Sequence, residues 1–309
     1  MKSRWLAKIA AIVCALCLTT GVMSQTVFAR DDSLSQDEYL AELPEATFVV
    51  LGESVSDKTG APEVTDNRLS VPLYLDEEEA GFCSVVEGEP YVSVADFCAV
   101  LGLDVQMIDQ GSALSMAMDG LMLTAHAGQT WFSCNERYLY AENGIRDIGG
   151  KLALPLESLV KCLGVTVSWD RVQWRVTVEN SQPSPLKSGS AYYDETDLYW
   201  LSRFVYAMSG GQPLETQVAV ASVCVNRLQS GAFSGQRNIY EVIFAKNQFD
   251  VVTNGMIYTT PDETSVLAAK LALEGCDLAK GASYVTSGDL GSGDECVVNL
   301  GGLKFFNRA

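Results

Sequence analysis

Residues 194–227 read DETDLYWLSRFVYAMSGGQPLETQVAVASVCVNR, and the C-terminal half of the chain is legible from this stretch. Acids stand at its start, apolar residues recur at Leu198, Leu201, Val205 and Met208, and Gly210-Gly211 close it. That pattern predicts a capped helix with one buried stripe. Pro213 then opens a second helix, Leu214 to about Leu228, with Val218, Ser222 and Val225 along one stripe and Glu215 one turn earlier. The turn between them is tight and Gly-rich, so the end of the first helix lies near the start of the second. Further helices are expected at about residues 239–245 and 262–274, with Asn247-Gln248-Phe249 between them.

Upstream, Ser181-Gln182-Pro183-Ser184-Pro185 through Ser190 is a break, because two prolines among small polar residues continue neither a helix nor a central strand. The natural cut is near residue 185. Before it lies an internal repeat. Val92-Ser93-Val94, Phe97, Leu101-Gly102-Leu103 and Val105 match Leu154-Pro155-Leu156, Leu159, Leu163-Gly164-Val165 and Val167 at an offset of 62. Each copy reads as a short strand, a helix of about ten residues stopped by Gly102 or Gly164, and an exit strand. The expected fold class is α+β: a duplicated strand–helix–strand module, then a mainly helical domain with a small sheet.

Lys2, Arg4 and Lys8 precede an apolar run from Ile9 to about Leu18, and Val27-Phe28-Ala29 ends it with small residues suited to cleavage. Residues 1–29 therefore read as a secretory signal peptide, with a mature N-terminus at Arg30 and no membrane span thereafter. Residues 30–65 look like an acidic spacer, 66–180 a folded module, 181–190 a linker and 191–309 a second domain. Seven cysteines remain after the signal, an odd number, so at least one thiol is free or pairs with another chain; Cys224, inside an apolar helical run, reads as a small buried hydrophobe.

The whole chain has 309 residues, 39 acids against 21 Lys and Arg, and a formal charge of −18. Such a surface repels phosphates, which argues against nucleic-acid or anionic-membrane partners. With one histidine, His126, a relay through imidazole in the C-terminal half is not available, and no metal or cofactor is expected. Catalysis, if present, falls to carboxylates.

The repeat, with Val167-Ser168-Trp169-Asp170 and Trp174-Arg175-Val176-Thr177-Val178, resembles the copper amine oxidase N-terminal-like domain over about residues 68–179. The name does not imply copper here, because the segment offers only His126 between the two copies. The C-terminal part resembles the cell wall hydrolase family of the spore cortex-lytic (SleB) type over about residues 195–306. The resemblance rests on Tyr206-Ala207, Gly211, Pro213, Glu215, Gln217-Val218-Ala219-Val220, Val225-Asn226-Arg227, Gln248-Phe249, Ile257-Tyr258, Thr260-Pro261, Gly281-Ala282 with Tyr284, and Phe305-Phe306. It implies a lysozyme-like helical fold and cleavage of peptidoglycan glycan strands by a carboxylic acid that protonates the leaving oxygen.

In that family the acid directly follows the Tyr-Ala pair; here the position is Met208. The family's second acid of the turn is replaced by Gln212, and its histidine before the terminal aromatic pair by Leu303. Glu215 is the matching acid that remains. It reads either as a first-turn Glu reaching back to the Gln212 amide or as a cleft residue that binds sugar or retains some acid catalysis. Tyr206 and Phe249 read as core or sugar-stacking residues, and Met208, Gln212 and Tyr284 join them as candidate substrate contacts. Gln248 suits recognition of hydroxyl and N-acetyl groups. Three outcomes stay open: an exported or envelope-bound peptidoglycan binder without turnover, a glycosidase or lytic transglycosylase using Glu215, and a structural envelope protein that binds no glycan.

Overall fold

The computed structural model describes residues 63–65, 68–109, 113–180, 182–233, 235–288 and 295–307. The signal segment and nearly all of the spacer lie outside them. The N-terminal half runs β1 (Glu63–Thr65), β2 (Arg68–Leu75), β3 (Glu78–Val86), β4 (Glu89–Ser93), α1 (Val94–Val100), β5 (Gln106–Asp109), β6 (Ala113–Met118), β7 (Leu121–His126), β8 (Trp131–Cys134), β9 (Arg137–Tyr140), β10 (Arg146–Ile148), β11 (Lys151–Pro155), α2 (Leu156–Leu163), β12 (Thr166–Asp170) and β13 (Arg175–Asn180). Then follow α3 (Gly189–Tyr192), α4 (Glu195–Ser209), α5 (Leu214–Gln229), α6 (Ile239–Ile243), α7 (Asp250–Thr253), α8 (Glu263–Leu273), β14 (Tyr284–Thr286), β15 (Glu295–Leu300) and β16 (Leu303–Asn307). The protein is mixed α+β.

The first sheet has the order β10-β11-β4-β3-β2-β13-β12, with β1 added on β2, inside the stretch read as spacer. The strands that precede the two helices, β4 and β11, lie side by side toward the β10 edge and pair antiparallel with Val92 opposite Leu154 and Ser93 opposite Ala153. Ser93 caps α1 by accepting from the Asp96 amide at 3.2 Å, and Gly164 ends α2 in the left-handed region at φ 67°. Strand β4 extends to that cap, so α1 is seven residues long rather than about ten. The exit strands diverge. β12 returns to the first sheet, whereas β5 opens a second one of order β5-β6-β7-β8-β9.

That second sheet is covered on both faces along β8 and β9. Phe132, Cys134 and Leu139 are buried in the N-terminal core, while the alternating Trp131, Tyr138 and Tyr140 pack against the core of the helical half. Period-2 alternation sends successive side chains to opposite faces, and apolar residues at both sets of positions require a cover on each.

The Pro/Ser stretch ends the sheet as its prolines require, but it lies docked along the module. The Ser184 amide donates to Leu163 O at 2.9 Å, the Leu186 amide to Cys162 O at 3.1 Å, and the Gly189 amide to Asn135 O at 2.7 Å. Leu186 packs on the N-terminal core. Gly164 shows how closely the segment sits, because a Cβ there would fall 1.8 Å from Ser184 O, on a backbone already at positive φ. Gly164→Ala is therefore expected to cost about 1–3 kcal/mol, read as a lowered melting temperature of the full chain.

One ion-paired cluster joins the halves. Arg137 on β9 donates Nε and Nη2 to the two carboxylate oxygens of Glu274, just past α8, at 2.6 and 2.7 Å. Tyr193 donates its hydroxyl to the same carboxylate at 3.0 Å, and Lys161 on α2 approaches at 3.3 Å. The Arg137 and Glu274 side chains are only 6% and 2% exposed, and the Arg137 guanidinium lies 3.4 Å from the Tyr192 ring centroid. The hydrogen bonds to Glu274 hold Arg137 firmly charged, and burial followed by the Glu274 charge pushes the Tyr193 phenol up.

Candidate functional site

Helix α4 starts where Asp194 accepts from the Thr196 and Asp197 amides, both at 2.9 Å, and it ends at Ser209. Its buried side includes Leu201, Phe204 and Val205; Tyr206 and Met208 are half-buried near the C-terminal end. The Tyr206 ring closes over Gly210, whose missing Cβ would otherwise meet the ring at 2.9 Å. Gly211 turns the chain at φ 79°, Pro213 stands at the N-cap of α5, and the turn is held by Gln217. Gln217 is buried; it donates to Gln212 O at 2.8 Å and accepts from the Ser265 hydroxyl on α8 at 2.7 Å.

The turn between β15 and β16 abuts this start of α5. A Cβ on Gly301, at φ 58°, would lie 2.7 Å from the Thr216 side chain and 3.0 Å from Gln212 Oε1. Gln212 thus meets the backbone that leads into β16 two residues before Leu303. Glu215 lies about 100° round the helix from Thr216. The Tyr140 phenol is pushed up by burial first, and then by the charges of Cys276, Glu215 and Glu142. The reach of Glu215 to the Gln212 amide is not made, since that amide donates to Ser209 O at 3.0 Å.

Gln248, Phe249 and Tyr284 gather instead around Arg227, a site the sequence reading passed over as part of the matching motif. Arg227 is 2% exposed, and donates to Ser283 O at 2.6 Å and to Gln248 Oε1 at 2.9 Å. Its guanidinium carbon sits 4.5 Å from the Phe249 ring centroid, 5.0 Å from Tyr284 and 5.1 Å from Phe233. Three ring faces and two oxygens satisfy a cation that burial alone would penalise. The signal for it was an arginine directly following the apolar run of α5. Gln248, itself exposed, accepts from Arg227 through its amide oxygen.

The expected substrate residues therefore form two groups, not one. Tyr206, Met208 and Gln212 sit about the start of α5, while Gln248, Phe249 and Tyr284 surround Arg227, thirteen residues on from Leu214. Thr216 and Arg227 share one helix face and stand about 16 Å apart. The three-stranded sheet β14-β16-β15 packs on this helix. Cys224, on the buried side, is a fully enclosed thiol pushed up to about 12 by burial. His126 lies on β7, and the described residues hold no cluster of three His, Cys, Asp or Glu side chains.

Residues 211–289 match the sequence profile of the family described as Cell Wall Hydrolase, and residues 75–178 that of the Copper amine oxidase N-terminal domain. The spore cortex-lytic enzyme of Halalkalibacterium halodurans is 41% identical over 99 residues, covering 32% of this chain and 29% of that protein. Its Bacillus subtilis counterpart is 36% identical over 97 residues, covering 31% of each. The chain thus spans about a third of the length of these relatives. Among solved structures, the catalytic domain of the Bacillus cereus SleB protein shares 31% identity, with 37% of this chain and 92% of that one covered at a TM-score of 0.34. The chain thus carries, in series, a match to the Copper amine oxidase N-terminal domain and a match to the Cell Wall Hydrolase family, the latter in the part that is similar to spore cortex-lytic enzymes.

Proposed function

We propose that this is an exported peptidoglycan-binding protein in which a lysozyme-like cell wall hydrolase domain, about residues 191–309, has lost glycan cleavage. The observation that carries it is Met208. Proton transfer to a departing glycosidic oxygen needs a titratable group within hydrogen-bond reach, and a half-buried thioether has no proton to give. Glu215 is the acid nearest in sequence, but it stands seven residues on, in the first turn of the next helix. What remains suits binding: Tyr206, Met208 and Gln212 at one end of α5, and the exposed Gln248 at the other. The N-terminal module, with its repeated strand–helix units, serves as a wall-contact platform. Export through the 1–29 signal places the protein in the envelope or medium, and no helix among the described residues is long and apolar enough to cross a membrane.

Purified full-length protein incubated with insoluble peptidoglycan tests this. It is expected to co-sediment while releasing no reducing ends or anhydro-muropeptides above background. Glu215→Gln, which removes the proton and keeps the shape, is expected to leave that result unchanged. Wild-type turnover that disappears in Glu215→Gln would make Glu215 the working acid and overturn the non-catalytic reading.

A further inference from the structure

The first half of α4 carries a second feature, away from the candidate substrate residues described above. Trp200 is ringed by Tyr199 at 5.0 Å, Phe244 at 4.8 Å, Tyr240 at 5.7 Å and Tyr258 at 6.2 Å between centroids. Tyr240 stacks nearly flat on Phe244, at 4.4 Å and 27°. These rings are packed together yet open to water: Tyr258 is 65% exposed, Tyr199 48%, Tyr240 43%, and Met256 beside them 49%. Large apolar side chains left clustered at a surface mark a contact site rather than scattered exposure.

The chemistry of the patch narrows its occupant. Its exposed rings are tyrosines, which offer an apolar face and a hydroxyl at the rim. Nearby charges are already engaged: Arg203 lies 3.6 Å over the Tyr199 ring, Arg237 pairs with Glu241 at 3.2 Å, and Asp197 accepts from the Ile239 amide at 2.9 Å. On a chain of formal charge −18 this surface is close to neutral, which suits a ligand with alternating C–H faces and hydroxyls and no required charge. Beneath the surface it is joined to the site already described through the buried Phe204. Trp200, Phe204 and Met208 follow one another at i, i+4 and i+8 on α4, and Phe204 meets Phe249 at 4.6 Å, beneath the Arg227–Gln248 pair.

We propose that the rings of Trp200, Tyr240, Phe244 and Tyr258, with Tyr199 and Met256 at their edge, form a separate sugar platform that stacks uncharged N-acetylated hexose units of a glycan strand. This rests on the glycan-binding reading above and extends it to a second place on the same domain. Because the rings brace one another, binding freezes little side-chain motion, which favours affinity.

The test uses the full chain, a soluble tetramer of β-1,4-linked N-acetylglucosamine, and insoluble peptidoglycan. Tyr240→Ala and Tyr258→Ala are each expected to weaken tetramer binding about 2- to 10-fold, with Tyr258→Phe close to wild type. Ile108→Ala, an exposed apolar change in the N-terminal half, is expected to leave binding unaltered. Unchanged affinity in both alanine variants, each with a wild-type melting temperature, would overturn the platform while wild-type co-sedimentation with peptidoglycan left the broader reading standing. Failure of the wild type to bind either glycan would overturn both. Binding to neutral phosphatidylcholine vesicles that is lost in Tyr258→Ala, without tetramer binding, would assign the patch to a lipid surface and overturn the proposal.

Discussion

The triple variant Met208→Glu, Gln212→Glu and Leu303→His is expected to release muropeptides from purified peptidoglycan about 10²–10⁴-fold above the wild-type background. That range is what a positioned general acid contributes to a step it protonates. The three changes belong together because of where they sit. Met208 lies near the end of α4, Gln212 in the turn that follows, and the Gly301 backbone meets the Gln212 side chain just before Leu303. A carboxyl at residue 208 alone would enter a half-buried apolar setting, which raises its affinity for the proton but leaves nothing to orient it. Reducing-end release by the triple variant and by Met208→Glu alone, measured side by side, checks both parts of the argument. Background-level release by the triple variant, in protein that still co-sediments with peptidoglycan, would show that the groove does not present the glycosidic bond to residue 208.

The second large effect concerns stability. Glu274→Ala is expected to destabilise the full chain by about 3–5 kcal/mol, since it strands the buried Arg137 charge and the Tyr193 hydroxyl. A chain of this size loses about 2–4 °C of melting temperature per kcal/mol. The paired change Arg137→Met with Glu274→Leu is expected to recover most of the loss, because it removes both charges and fills the space with apolar volume. Thermal melts of the single and double variants decide it. A single variant that melts with the wild type would show that the cluster is open to water and contributes little.

The helical half was legible in sequence because each helix carries its own punctuation. Asp194 and Asp262 cap helices beginning at Glu195 and Glu263, and Pro213 and Gly211 fix the turn, so the observed spans fall within a residue or two of those expected. The reading of Met208 rests on motif position alone. What escaped was everything set by long-range packing. Arg137 and Glu274 are 137 residues apart, and nothing local to either marks a partner. The prolines of the 181–190 segment say where regular structure stops, but its docking depends on main-chain groups of α2 and Asn135 that any sequence would present. The grouping of Gln248, Phe249 and Tyr284 around Arg227 is likewise a product of fold closure. The aromatic alternation in β8 and β9 was an unread clue that the second sheet has a neighbour on each side.

The docking of β8 and β9 on the helical half bears on how this protein is produced in pieces. A fragment cut where the family resemblance begins, near residue 191, keeps the outward side of α8 and the Glu274 carboxylate but loses Trp131, Tyr138, Tyr140 and Arg137, which cover them. In solution such a piece presents a freshly bared greasy flank with an unmatched negative charge beside it, the surface that drives self-association. The smallest well-behaved unit for crystallisation or labelling work is accordingly one that begins before Arg68 and retains both halves.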